Sequence, residues 1–365
     1  MRERKPRFSP ERSFQDEVRS RVEERLATLG RSRHGGWRIY LKTALLLLWS
    51  GASYLGLLTW ARSGWQVVPL CVSLGLALAA IGFNVAHDGN HGAFSTSRIL
   101  NRAMGGMLDL LGASSYVWRW KHNVFHHSYP NVDGLDDDIN LGALCRMSRH
   151  QPHRPHHRLQ HLYMWPLYGF IVPKWQLYDD FAALAGGHIG GNPFPRPRGG
   201  ELALFLGGKL AFLTLAFAIP LLAHPLWQVA LVYACVGLVQ GMSLSIVFQL
   251  AHSNEETRAF SADEPEDIAS REWSVHQVET TANFARQSRL LTWYVGGLNH
   301  QIEHHLFPRI SHVHLPVIAD VVEQVCREHG VRYSAHASLW RAVASHHSWL
   351  RSMGRPSPAH RWESG

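Results

Sequence analysis

Four long apolar runs constrain this chain more than any other feature. Thr43–Ala61 carries no charged residue over nineteen positions, and Gln66–Ala86 is about as long. Leu202–Ala223 and Leu226–Ala251 repeat the pattern. At 1.5 Å per residue, a helix of ~20 residues crosses a hydrocarbon core of ~30 Å. Only Arg62-Ser63-Gly64-Trp65 separates the first pair and His224-Pro225 the second, so each pair reads as a tight helical hairpin. Lys209 interrupts the third run near its start, where its ammonium is expected to snorkel to the interface. A large soluble helical protein is the competing reading. Two hairpins with such short turns argue against it.

Charge decides which side of the membrane the rest occupies. The formal net charge is +8, and much of the excess lies early, in Arg2, Arg4, Lys5, Arg7, Arg12, Arg31, Arg33 and Arg38. A basic arm suits nucleic acid or an anionic membrane surface; the apolar runs favour the membrane, and no nucleic acid is expected. The hairpin turns hold one basic residue, Arg62. The positive-inside rule therefore places 1–41, 87–201 and 252–365 in the cytoplasm. The expected organisation is a basic arm over 1–41 and a single membrane domain over 42–365. No cleavable signal peptide is visible, because apolar sequence begins only after residue 42. Cys71, Cys145, Cys235 and Cys326 are scattered without a CxxC pair and read as small apolar fillers.

Shorter features fill in the rest. Phe14–Leu29 is amphipathic. Met104–Trp118, containing Asp109, and Leu162–Pro173, containing Pro166, are too short to span and read as interfacial or re-entrant helices. Pro316–Glu328 has apolar residues at helical spacing, with Gly330 as its cap.

Three histidine clusters carry the chemistry: His87-Asp-Gly-Asn-His91, His122-Asn-Val-Phe-His126-His127 and Gln301-Ile-Glu-His304-His305. Neutral imidazole is a good ligand for iron, zinc and copper. His87 and His91 are four apart, so a helix continuing the second span projects both from one face. His122 and His126 repeat that step, with His127 on the adjacent face, and such a doublet can serve two metals. Asp88 is placed to accept the second N–H of a ligand histidine, and Asp133, Asp136, Asp137 and Asp138 read either as such orienters or as a solvated acidic turn. All three clusters fall on the same side of the membrane. HExxH is absent, and the histidines exceed what one tetrahedral zinc takes. A metal transporter would put ionisable residues inside its spans, and these are nearly free of them.

At this point the chain resembles the membrane fatty acid desaturases over essentially its whole length. The resemblance rests on His87-x3-His91, His122-x3-His126-His127, Gln301-x2-His304-His305, the two hairpins and Val247-Phe-Gln-Leu-Ala-His252. It implies an all-α integral membrane protein, with interfacial helices and a cytoplasmic helical cap, and two irons bound by the cluster histidines. It adds His252 as a ligand beyond the clusters and Gln301 as a residue beside the metal. It also implies O2 as co-substrate, a fatty acyl chain carried on CoA or a lipid, and a bacterial inner-membrane location. Glutamine at the head of the third cluster is similar to the front-end branch, close to linoleoyl-CoA desaturases. Members of that branch often carry a fused cytochrome b5 domain. Here only Arg33-His-Gly-Gly36 is faintly similar to its haem motif and reads as a glycine turn. Electrons are therefore expected from a separate ferredoxin- or cytochrome b5-type donor. A fatty acyl or sphingolipid hydroxylase is the alternative on the same scaffold.

Two sets of histidines compete with this assignment. His300-x3-His304-His305 copies the spacing of the second cluster, so spacing nominates His300 where the resemblance favours Gln301. His153-Arg-Pro-His156-His157 also looks like a cluster, but Pro152 and Pro155 break a helix there, and with His150 and His161 it reads as a surface loop. His312, His314, His346 and His347 are expected to be tail or interfacial residues.

Overall fold

The computed structural model describes residues 5–356 and is mostly helical. Four are long and apolar enough to cross a membrane: Trp37–Trp60, Gly64–His91, Gly200–Leu221 and Leu226–His252. These match the four expected spans, and each hairpin turn falls where the polar residues lie. In the first turn, the Gln66 side-chain oxygen accepts from the backbone N–H of Arg62 at 2.9 Å and of Ser63 at 3.2 Å. The helix start is thereby capped where four N–H groups would otherwise lack partners. Spans two and four touch closely, because a Cβ on Gly75 would lie 2.7 Å from that of Val239. Outward-facing residues such as Leu48, Trp65 and Leu222 remain exposed, as lipid-facing residues do.

The spans run further than the hydropathy alone marks. Span two continues without a break through the first histidine cluster and ends at His91, and span four ends at His252. The first histidine cluster and His252 are thus mounted directly on the bundle. The third span holds a correction. Lys209 does not snorkel: its ammonium is buried, 2.7 Å from the Asp180 carboxylate, and donates to the Gly112 carbonyl at 2.7 Å. The 175–180 segment folds back to supply the counter-charge, which an ammonium buried this deeply needs.

The short apolar stretches break into small helices that lie against the bundle. Gly241 of span four meets the Gly169 carbonyl so tightly that a Cβ would come within 2.1 Å. Gly208 of span three sits against Asp109 in the same way. Beyond the histidine-bearing ends of the spans, Ser13–Thr28 forms a helix whose Phe14, Val18, Val22 and Leu26 stripe packs on Leu315, Ile318, Val322 and Val325 of Leu315–Glu328. Steps of four in the first stripe, and of three and four in the second, put each set on one helix face, which is the reason they meet.

The C-terminal helix Leu339–Met353 also folds back, which corrects the reading of several histidines. His346 is fully buried, with Tyr168 Oη 2.8 Å from its Nε2 and the Ser253 carbonyl facing Nδ1. It anchors the tail beside His252. His312 and His314 are buried too, His314 against the His34 carbonyl at 3.0 Å. The four cysteines are free and three are buried.

Candidate metal centre

Helix winding decides where each cluster points. His87 and His91 sit on the last turn of span two with ring centroids 4.6 Å apart, and Gly92, at φ 71°, ends the helix. The second cluster differs from the expected α-helix, because Arg119–His126 is wound as a π-helix. The His127 N–H bonds the His122 carbonyl five residues back, at 2.9 Å. A five-residue turn brings His122 and His127 together, with their Nε2 atoms 3.2 Å apart, while His126 comes within 4.6 Å of His252, ring centroid to ring centroid. In the third cluster, Gln301–Leu306 is a short α-helix, so the adjacent His304 and His305 point about 100° apart.

Two groups result. His87, His91, His122 and His304 form one, and His126, His252 and His305 the other; within each, the ring nitrogens lie within 4.8 Å of one another. His127 stands between them. Its Nε2 is 3.1 Å from that of His304, and its ring stacks on His305 at 4.4 Å. A further grouping of His122, His126 and Asp138 shares two of these histidines, but Lys121 lies 3.1 Å from the Asp138 carboxylate and competes for it.

The donor set is compatible with a metal centre. Among the described residues, His91 Nε2, His126 Nε2, His127 Nδ1, His252 Nδ1 and His305 Nε2 are buried without a hydrogen-bond partner. Unpartnered buried polar atoms each cost about 1–3 kcal/mol, and where several converge, as here, a bound cation would relieve that cost by taking the lone pairs. Burial, reinforced by the neighbouring imidazoles, holds His122, His127, His304 and His305 well below the usual histidine range. Each is therefore neutral, the form that binds metal.

The far sides of the second group are fixed. Asp136 lies 3.0 Å from His126 Nδ1, and the side-chain oxygen of Gln277 2.9 Å from His305 Nδ1. Burial alone would lower the His126 pKa, but the Asp136 charge and hydrogen bond outweigh it and raise it. Both partners leave Nε2 free to face inward. Trp118 stacks on His122 at 4.3 Å, and Phe248 on His252 at 4.7 Å, which shields the centre.

A family model for fatty acid desaturases matches residues 63–337, three-quarters of this framework and all of these histidines. The chain belongs to the fatty acid desaturase family. It is 37% identical over 353 residues to an sn-1 linoleoyl-lipid 6-desaturase of Synechocystis sp., covering 96% of this chain and 98% of that one. A protein of the same description from Arthrospira platensis is 34% identical, covering 95% and 94%. An acyl-lipid (8-3)-desaturase of Physcomitrium patens is 36% identical, covering 86% of this chain and 66% of that one. The chain is thus an oxidoreductase that desaturates fatty acyl chains.

Within this desaturase the other sequence candidates fall outside the two groups. Gln301 comes close, its amide nitrogen 3.0 Å from His252 Nε2. His300 is buried beside Glu303 at 3.9 Å with neither ring nitrogen bonded, and burial pushes it down to about 4. His156 and His157 both spend Nε2 on the Ala143 carbonyl, at 2.7 and 3.0 Å, and His153 spends its own on Gly354 at 2.9 Å. This segment is not wholly a surface loop, since His157 is buried. Asp88 differs from its expected role: His87 Nδ1 is 3.9 Å away, too far for a hydrogen bond. Its carboxylate accepts instead from Ser311 Oγ at 2.7 Å and faces His312 Nδ1 at 2.9 Å, while His312 Nε2 meets Lys42 Nζ at 3.0 Å. That buried chain fastens the first cluster to span one and to the loop after the third. Sequence reading passed over Gln277 and Asn131. Asn131, in left-handed backbone at φ 56°, donates to the His252 carbonyl at 2.7 Å. Neither stands in a motif, so only the asparagine's tolerance of that conformation offered a signal.

Proposed function

We propose that this desaturase acts on an acyl chain carried by a glycerolipid, near its carboxyl end, at two irons held by His87, His91, His122, His126, His127, His252, His304 and His305. The single observation that carries the reading is the division of buried, unpartnered imidazoles into two groups with His127 between them. Seven or eight nitrogen donors exceed what one octahedral ion accepts. Bound there, a pair of irons with dioxygen would supply the oxidising power that side chains lack. The chain's own residues hold, orient and dry the site. Asp136 and Gln277 set the tautomers of His126 and His305, and Gln301 lies beside His252. Trp118 and Phe248 keep water from the rings. The glycerolipid is argued by analogy with the Synechocystis and Arthrospira sn-1 linoleoyl-lipid 6-desaturases.

The charge asymmetry supports a cytoplasmic site, with 42–365 as the desaturase domain, the basic 1–41 arm on the same side, and electrons arriving from a separate ferredoxin- or cytochrome b5-type donor. The test is expression in a host supplied with a reductase system, followed by mass spectrometry of its lipids. A new double bond on the carboxyl side of an existing one is expected; a hydroxylated product, or none, overturns the reading. Elemental analysis should give about two irons per chain, and stoichiometric zinc without iron would contradict it. Cysteine labelling should find position 150 on the cytoplasmic side and positions 63 and 224 opposite.

A further inference from the structure

A cleft of about 570 Å³ opens beside the first histidine group, lined by His91 together with Arg98, Arg102, Arg119, Arg309 and a single carboxylate, Glu201. Glu201 is already shared, 2.9 Å from Arg102 and 3.1 Å from Arg119. Arg98 and Arg309 have no carboxylate within ion-pair distance among the described residues, and both are exposed. Four guanidinium groups around one carboxylate leave a cleft of strong positive potential, with two planar forks turned to solvent. Arginine forks match the tetrahedral oxygens of phosphate and bind them through charge-assisted pairs.

The place of the cleft narrows the ligand. His34 lines it, and Trp37, three residues on, is 68% exposed where the first span begins. Ile99, next to Arg98 on the helix Arg98–Gly105, is 84% exposed. An exposed tryptophan at a span end marks the headgroup level of a bilayer, and Ile99 adds an exposed apolar side chain on the short helix that follows span two. We propose that this cleft binds a phosphate of the acyl donor's head, holding the head beside His91 so that the reacting carbons lie near the carboxyl end. This rests on the reading of the site as a front-end desaturase. On that reading the phosphate is the one in a phospholipid head; the CoA of a thioester is the competing source, and the chemistry of the cleft is the same for both.

The experiment uses the full-length protein in a neutral detergent, titrated in native mass spectrometry with dioleoyl phosphatidylglycerol, with coenzyme A, and with monogalactosyl diacylglycerol as a neutral lipid. The Arg98→Gln/Arg309→Gln variant loses no ion pair, so it should fold and keep its metal content. Its affinity for at least one phosphate ligand should fall about tenfold or more, while the galactolipid is bound as before. Loss confined to phosphatidylglycerol names a phospholipid donor; loss confined to coenzyme A names a thioester. Added salt should weaken the same ligand in the wild type. Unchanged binding of both phosphate ligands, or equal loss of the galactolipid, overturns the proposal. So does intact lipid binding with impaired reduction by an acidic electron donor, which would make the cleft a protein-docking site. Failure of the functional reading shows separately, as a wild type that forms no double bond in cells whatever it binds.

Discussion

His122–His127 and His153–His157 are nearly the same run of histidines, and the molecule treats them in opposite ways. In the first, ring nitrogens are buried and left without hydrogen-bond partners, converging with histidines from three other segments. In the second, His153, His156 and His157 each spend Nε2 on a backbone carbonyl. The difference lies in what surrounds them. Gly354 and Ala143 bring carbonyls to the 153–157 loop, whereas Asp136, Gln277 and a π-wound backbone occupy only the outer sides of the metal-side rings. Spacing nominates both runs. Spare nitrogens distinguish them.

The sharpest break of this comparison is at the converging rings. His126→Ala and His304→Ala should each abolish desaturation and strip metal, read by lipid mass spectrometry and elemental analysis, while the protein stays in the membrane. His252→Ala should do the same, although it lies outside every cluster. A His252→Ala protein with normal activity and two irons would show that the second group is wrongly drawn.

A smaller effect should follow from the residues behind the rings. Asp136→Asn and Gln277→Leu leave every imidazole in place but loosen His126 and His305, and outer partners of this kind are worth about 10–100-fold in metal affinity or activity. Both back the second group, so metal titration should show one ion lost well before the other. Equal loss of both ions would contradict the division into two groups.

Buried histidines outside the two groups give a pH signature of a few kcal/mol at most. Burial pushes His346 down to about 4 and His276 down to about 3. The unfolded chain takes up protons near pH 6.5 while the folded one does not. Stability is therefore fully present above that value and falls as pH drops towards 4, by up to about 1.4 kcal/mol per pH unit per histidine. In thermal unfolding between pH 7 and 5, His346→Gln should show a shallower decline than the wild type; an identical slope would refute this.

The smallest effect on activity is expected at the decoy run. His156→Ala combined with His157→Ala should leave metal content and most desaturation intact, costing about 1–2 kcal/mol of stability through the lost bonds to Ala143. An inactive, metal-poor double variant would erase the distinction between the two runs.

Much of the molecule was legible beforehand. The four spans, both hairpin turns and the helix Leu315–Glu328 follow from local hydropathy and spacing. All eight nominated histidines do come to one place. Less legible were the groups whose partners come from afar. Local sequence suggests a snorkelling Lys209, because Asp180 lies twenty-nine positions earlier with nothing nearby to link them. His312 and His346 were read as tail residues because Asp88, Tyr168 and Ser253 meet them only after the chain has folded back.

The sequence by itself determined what is additive and local. Apolar transfer over some twenty residues makes a span whatever its neighbours do, and a histidine doublet on a helix must point two ways. Only the tertiary structure decided which ring joins which group. That depends on whether His127 bonds back five residues rather than four, a choice of backbone register that packing around Arg119–His126 makes. It depends also on which nitrogens find a carboxylate or carbonyl from a distant segment, and a lone pair already bonded on one side is free on the other only by geometry.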